Sequence, residues 1–318
     1  MFNQHVIQKQ TKESRLPTLP DVQVAVEDLA LLVLTDNLEG IMDFYTNKLT
    51  LITGGSSGIG LALSRQITQQ GGNVIILARR QELLDLAISE LESLRVRPDQ
   101  RIIAAKADVT KFDSLTTVVE GLISNYGVPE VIFNSAGVAH PGNFSALDLS
   151  IFHWMMDVNY FGTVNVLKLV VPLMQKRRSG TIVNISSMAG FLGVYGYTAY
   201  GASKFAVSGF TDALRSELKP YGIRVSVVFP PDTDTPQLDY ESKFKPFITK
   251  EIAGSAKSLS PEFVAREILN KTARGKYLIL PGAEAKLFYF AHHLVGELLY
   301  PIMDNMVRSS IKKIKFKK

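Results

Sequence analysis

The string TGGSSGIG (residues 53–60) continues the apolar run LTLIT (49–53) without a break and leads into a helical pattern that begins at Gly58. A glycine-rich turn between a buried strand and a helix presents backbone N–H groups and the positive end of the helix dipole to an anion. The spacing G-x-x-x-G-x-G differs by one residue from the commoner G-x-G-x-x-G, but the roles carry over. Gly54 turns the chain, Gly58 lets a pyrophosphate approach the backbone, and Gly60 lets helix and strand pack closely. Ser56, Ser57 and Ile59 complete the same candidate phosphate site. Many glycine strings are plain turns, so the surroundings decide the reading.

Those surroundings repeat strand and helix in turn. NVIILA (73–78), RIIAAKA (101–107), VIFN (131–134), TIVNIS (181–186) and RVSVVF (224–229) are further apolar, β-branched runs. Helical patterns separate them at 81–94, 112–126, 148–177 and 199–219. Strands without polar alternation are buried on both faces, as a parallel sheet flanked by helices requires. The pattern predicts an α/β fold, a doubly wound parallel sheet in a single domain over 48–282. YLILPG (277–282) reads as its last strand. Residues 1–47 form an N-terminal extension without a usable signal. VQVAVEDLALLVL (22–34) within it has the makings of a helix packed on the domain.

Composition narrows the function. The chain has 318 residues, 46% hydrophobic, and no cysteine, which removes disulfides, thiolate catalysis and thiolate-bound metals. The five histidines (5, 140, 153, 292 and 293) lack metal-ligand spacing, so no metal site is expected. The first 20 residues contain no apolar stretch of the secretory type. Net charge is +5, yet the tail RSSIKKIKFKK (308–318) alone carries six basic residues and no acidic one. The rest is close to neutral, and no nucleic-acid partner is expected.

The second strand ends in LARR (77–80). An acid placed about 20 residues past the glycines holds the ribose 2′-hydroxyl of NAD. Here Arg79 and Arg80 stand in that region, where their charge opposes the dipole of the helix that follows. They suit the 2′-phosphate of NADP(H), the cofactor the sequence favours.

YGASK (200–204) sets Tyr200 and Lys204 four residues apart, on one face of a helix. An ammonium beside a phenol favours the phenolate and lowers its pKa. A packed tyrosine beside a solvated lysine would give the same string.

Taken together, TGxxxGxG at 53–60, NSAG (134–137), Asn159 in VNYFG, NISS (184–187) and YGASK resemble the short-chain dehydrogenase/reductase family, over roughly residues 48–282. The resemblance implies a Rossmann-type fold and a reductase. Tyr200 would protonate the carbonyl oxygen, and Lys204 would lower its pKa and hold the nicotinamide ribose. Ser187, 13 residues before the tyrosine, would hydrogen-bond the substrate oxygen, and Asn159 would support a proton relay through water. The implied cofactor set adds Asp108 and Val109 near the adenine, then Asn134, Ala136, Gly137 and Thr235. Two departures stand out. Ser135 replaces the family's second asparagine, and PPDTDT (230–235) puts Pro231 where glycine is usual, removing an amide donor.

PPDTDTPQ (230–237), with YTAYGASKFA (197–206) and ELKPYGI (217–223), further resembles family members that reduce a long-chain keto-sphingoid lipid. Other lipid, steroid or retinoid ketones are the alternative substrates, and a non-catalytic nucleotide-binding regulator is a third reading. Residues 231–262 are expected to form a lid loop over the substrate. Asp232 and Asp234 within it would either attract a substrate ammonium or cap the turn. SPE (260–262) begins a new helix. Segment 283–318 is expected to be an amphipathic helix with a basic tail, lying on a membrane surface or packed on protein. The chain is expected in the cytoplasm, peripheral on a membrane (the cytosolic face of the endoplasmic reticulum in a eukaryote), and as a homo-oligomer through the helices at 148–177 and 199–219.

Overall fold

Seven parallel strands lie in the order β3-β2-β1-β4-β5-β6-β7: β1 (Leu49–Thr53), β2 (Asn73–Ala78), β3 (Ile102–Lys106), β4 (Val131–Asn134), β5 (Gly180–Ile185), β6 (Ile223–Val228) and β7 (Leu278–Ile279). The computed structural model describes residues 44–253 and 257–316. Most of the N-terminal extension, including the apolar stretch 22–34, lies outside the described residues.

Although the strands are largely apolar, their two faces serve separate cores. Ile52, Val74 and Ile76 pack with helices α1 (Gly58–Gln69), α2 (Gln81–Ser93) and α9 (Pro261–Ala273). Leu51, Ile75 and Leu77 pack with α3 (Phe112–Tyr126) and α5 (Gly162–Arg177) on the other side. Each fully buried aliphatic side chain contributes about 1.5–3 kcal/mol, so the sheet is a stiff base for the loops at its carboxyl ends. The strand order reverses between β1 and β4, and the crevice beyond such a reversal is where doubly wound sheets bind ligands.

The long helical stretch near 148–177 is not uniform. It is α4 (Leu149–Met155), a π-helical segment (Met156–Phe161) and α5, and Asn159 sits in the π segment. Such bulges are frequent at functional sites. Helix α6 (Thr198–Leu218) carries the Tyr200–Lys204 pair.

Two expectations need correction. Residues 231–262 are not a plain loop, because they contain α7 (Pro236–Phe244) and α8 (Phe247–Ala253). Thr235 caps α7, accepting a hydrogen bond from Leu238 N at 3.3 Å, and Pro236 occupies its first turn. The C-terminal segment is two helices, α10 (Gly282–Val295) and α11 (Leu299–Phe316), broken where Gly296 takes a positive φ of 57°. Much of the basic tail is therefore helical. No helix among the described residues is long and apolar enough to cross a membrane.

Candidate active site

The β1–α1 turn approaches its neighbours so closely that side chains are excluded. Gly54 has φ +68°, and a Cβ there would lie 3.0 Å from backbone atoms of Ser135 and Ala136. A Cβ on Gly60 would lie 2.4 Å from the Gly54 carbonyl oxygen. Gly60 thus packs the start of α1 onto the turn itself. Thr53 Oγ1 accepts from Ser135 N at 3.1 Å and Ala136 N at 3.0 Å, joining the ends of β1 and β4. The strand ends at the reversal point are locked together.

A cavity of about 580 Å³ runs from this turn to the start of α6. Gly54, Ser57, Gly58 and Ile59 line it, as do Gly137, Ser187, Tyr200, Lys204 and Thr235. Arg79 and Arg80 also line it, exposed, their side chains without a hydrogen bond or ion pair among the described residues. A smaller hollow of about 110 Å³ adjoins them, lined by Ser56, Asp108, Val109 and Ala136. Asp108 Oδ1 accepts from the Thr110 amide and hydroxyl, each at 2.9 Å, which shapes the rim.

Three candidates do not face either space. Gly60 acts through packing. Asn134 is buried, and its Nδ2 donates to Asn184 Oδ1 at 2.8 Å across β4 and β5. Its side chain is turned into the sheet. Asn159 is 1% exposed: Oδ1 accepts from Val138 N at 2.8 Å, while Nδ2 donates to Val138 O at 2.9 Å and Ser203 Oγ at 2.8 Å. A Cβ on Gly137 would lie 3.3 Å from Asn159 Oδ1 and 3.5 Å from Lys204 Nζ, so the glycine keeps clearance between these two side chains and the cavity.

The two neighbouring serines separate by orientation. Ser186 Oγ donates to Lys204 O at 3.0 Å and lies 3.0 Å from Ser208 Oγ, inside the β5–α6 contact. Ser187 caps a short turn, accepting from Ala189 N at 3.2 Å, and acts on the Tyr200 phenol as a hydrogen-bond partner. Lys204 Nζ lies 5.7 Å from the Tyr200 ring centroid and donates to Ile185 O at 3.0 Å.

Charge in this corner is governed by burial. Burial pushes the Tyr200 phenol above its ordinary value and the negative charge of Glu241 adds to the rise, while hydrogen bonds from Ser187 and Gln237 oppose it. Burial pulls the Lys204 ammonium down to about 8, against the favourable field of Glu241. The phenol is thus raised, not lowered as expected from Lys204, and the same burial disfavours the charged forms of both groups.

Several lining residues escaped the sequence reading. Tyr197, Gln237 and Glu241 form a hydrogen-bonded set: Tyr197 donates to Glu241 Oε2 at 2.7 Å and Gln237 to Oε1 at 3.0 Å. The i, i+4 spacing of Gln237 and Glu241 was the one available signal, and it means little until α7 is known to be a helix. Asp232 pairs with Lys245 at 2.9 Å rather than lying free. Leu259 N donates to Asp232 O at 3.0 Å and Asp234 N to Leu259 O at 2.9 Å, fixing the lid's base. His140 Nδ1 lies 2.8 Å from Tyr240 Oη, linking the segment after β4 to α7 at the mouth.

Comparison with known proteins agrees with this geometry. The short chain dehydrogenase family profile matches residues 48–245. A 3-ketodihydrosphingosine reductase of Mus musculus is 36% identical over 228 residues, 71% of this chain and 69% of the relative. The 3-ketodihydrosphingosine reductase of Dictyostelium discoideum is 36% identical over 254 residues, 76% of each chain. Levodione reductase has a similar structure, with a TM-score of 0.69 at 22% identity over 76% of this chain and 99% of its own, which speaks for the fold alone. The chain belongs to the short chain dehydrogenase family.

Proposed function

We propose that this protein reduces the ketone of 3-ketodihydrosphingosine to the secondary alcohol with NADPH. The observation that carries the reading is the union of Ser187, Tyr200 and Lys204 at one end of a single cavity with two unpaired arginines at the other. The cradle suits a dinucleotide phosphate: the close approaches at Gly54 and Gly137 leave room for backbone contact, and Arg79 and Arg80 are free to bind a 2′-phosphate. When bound, the nicotinamide supplies the hydride that forms the new C–H bond. The chain's own groups supply position and a proton. Ser187 holds the carbonyl oxygen. Tyr200 stays protonated at neutral pH because its phenol is raised, so it can donate to that oxygen as the π pair moves onto it. Lys204 gives positive charge beside the phenol and the cofactor ribose. The substrate comes from the curated relatives' names together with the PPDTDTPQ segment, which builds the cavity wall at Pro230, Pro231 and Gln237.

The test is NADPH oxidation by the full-length protein with 3-ketodihydrosphingosine, a steroid ketone and a short acyl ketone. Selective turnover of the sphingoid ketone is expected. Preference for another ketone would refute the substrate, and NADPH binding with no turnover would favour a regulator.

A lipid ketone is met at a membrane, and the C-terminal segment supports such contact. Leu287, Phe290 and Leu294 recur at helical spacing on α10 and are 68%, 61% and 88% exposed. The opposite side of this segment is anchored, since Ala285, Tyr289 and Met303 pack on Phe191 and Phe229. Arg308 and Lys312 on α11 add exposed positive charge, each worth about 1 kcal/mol near anionic lipid. Full-length protein should co-sediment with anionic vesicles at low salt, and Leu294→Glu should weaken this; indifference to the vesicles would refute it. A homo-oligomer is supported by exposed Phe161 and Phe205 on the helices expected to pair. Sedimentation at equilibrium should give a mass above one chain.

A further inference from the structure

Glu241 is a carboxylate in an improbable place. It is 6% exposed, yet it lines the cavity beside Tyr200, and burial pushes its pKa up. A desolvated carboxylate is costly unless its oxygens are bonded and its charge is answered. Tyr197 and Gln237 each donate to one oxygen. A carboxylate offers about four acceptor sites, so roughly half of its capacity is left.

The surrounding charges are uneven. Asp232 lies on the same side of the site and raises the pKa of Tyr197, Tyr200 and Glu241. Lys245 answers Asp232 directly at 2.9 Å and also favours the charged Glu241. Lys204 on α6 feels the field of Glu241 but directs its ammonium to Ile185 O. Lys257 and Glu284, from the segments that close the far side, line the same cavity. Asp232 is therefore answered by Lys245, whereas Glu241 has no ion pair among the described residues and keeps acceptor capacity unfilled.

Resting on the proposed reduction of 3-ketodihydrosphingosine, we infer that Glu241 is a specificity residue that binds the substrate's ammonium group. That amine sits on the carbon adjacent to the ketone. A carbonyl held by Ser187 and Tyr200 therefore brings the amine to the wall that Glu241 occupies. The ammonium would fill the empty acceptor sites and give Glu241 a cation in direct contact. Asp232, considered for this role from the sequence, is already paired with Lys245.

The test uses full-length protein with NADPH and two ketones, 3-ketodihydrosphingosine and the same chain with hydrogen in place of the amine. Wild type is expected to favour the amino ketone in kcat/KM by about tenfold or more, since a buried charge rejects a ligand that leaves it unpaired. Glu241→Gln is expected to abolish the preference, lowering kcat/KM for the amino ketone about tenfold more than for the amine-free ketone. An equal fall on both ketones would assign Glu241 to the lid or the phenol and overturn the inference, as would an undiminished preference. Should Glu241→Gln fail to fold or to bind NADPH, wild type decides alone. A long-chain primary amine should compete about tenfold better than the matching alcohol, and equal inhibition would overturn the inference. Turnover of both ketones without preference contradicts only the role of Glu241. Turnover of neither contradicts the proposed reaction, and the inference falls with it.

Discussion

The side-chain amide of Asn159 donates to Ser203 Oγ across 2.8 Å, and Ser203 passes the bond on to the Tyr200 carbonyl at 2.7 Å. The π segment before α5 is thereby tied to the first turn of α6. Because the same amide group also brackets the Val138 backbone, Asn159 sets where Tyr200 stands relative to the β4 loop. Asn159→Ala leaves the half-buried Val138 N–H and carbonyl without their partners. It is expected to cost about 2–4 kcal/mol of stability and to lower kcat more than the KM for NADPH. Thermal melting and steady-state kinetics would read both, and an unchanged melting temperature would contradict the structural role.

The side chains of Arg79 and Arg80 have no partner among the described residues, so their replacement tests cofactor choice cleanly. Arg79→Ala with Arg80→Ala is expected to weaken NADPH by about 10–100-fold, as charge-assisted bonds of about 1.5–3 kcal/mol are removed. NADH binding should change little. Fluorescence titration with each nucleotide would show it, and an equal loss for both would contradict selection through the 2′-phosphate.

The pH dependence follows from Lys204. Its folded value of about 8 lies below the ordinary 10.5, so the ammonium is present below pH 8 and lost as pH rises through it. Tyr200 is shifted the other way and keeps its proton over that range. Reduction measured as kcat/KM should therefore fall, by one proton, as pH rises through about 8. Folding carries the opposite sign: between about 8 and 10.5 the unfolded chain binds more protons at this lysine, so its contribution to stability rises with pH. A rate that stays flat to pH 10 would contradict the assignment.

Gly60 is a packing glycine. With a Cβ 2.4 Å from the Gly54 carbonyl oxygen, Gly60→Ala must displace the turn or the start of α1. Overpacking of this kind costs about 1–3 kcal/mol. Calorimetry should show the lower melting temperature together with weaker NADPH binding, whereas the exposed Gly121 on α3, whose added Cβ meets nothing within 4 Å, should tolerate alanine.

The strands were legible because runs such as NVIILA are apolar on both faces, and only a covered sheet needs that. Gly54, Tyr200 and Lys204 were legible because their spacing is itself the geometry: one turn, one helix face. The π segment was not, since MDVNYF differs from an α-helix in hydrogen bonding rather than in composition. The lid helix α7 was obscured by the prolines and aspartates before it, although Thr235 and Pro236 are a cap and a first turn. Glu241 was invisible for a related reason. An acid reads as exposed until the sheet, α6 and α7 together enclose it. The direction of the Asn134 side chain was not legible either, because a motif position says nothing about which way a buried amide points.

The most direct test of the central claim is the fate of a label. NADPH carrying deuterium on the transferred side of the nicotinamide would be incubated with 3-ketodihydrosphingosine and either wild type or Tyr200→Phe, and the product analysed by mass. The account predicts deuterium on the carbinol carbon with wild type, and a rate about 10²–10⁴-fold lower with Tyr200→Phe at unchanged NADPH affinity. Equal labelling rates from both proteins would contradict it.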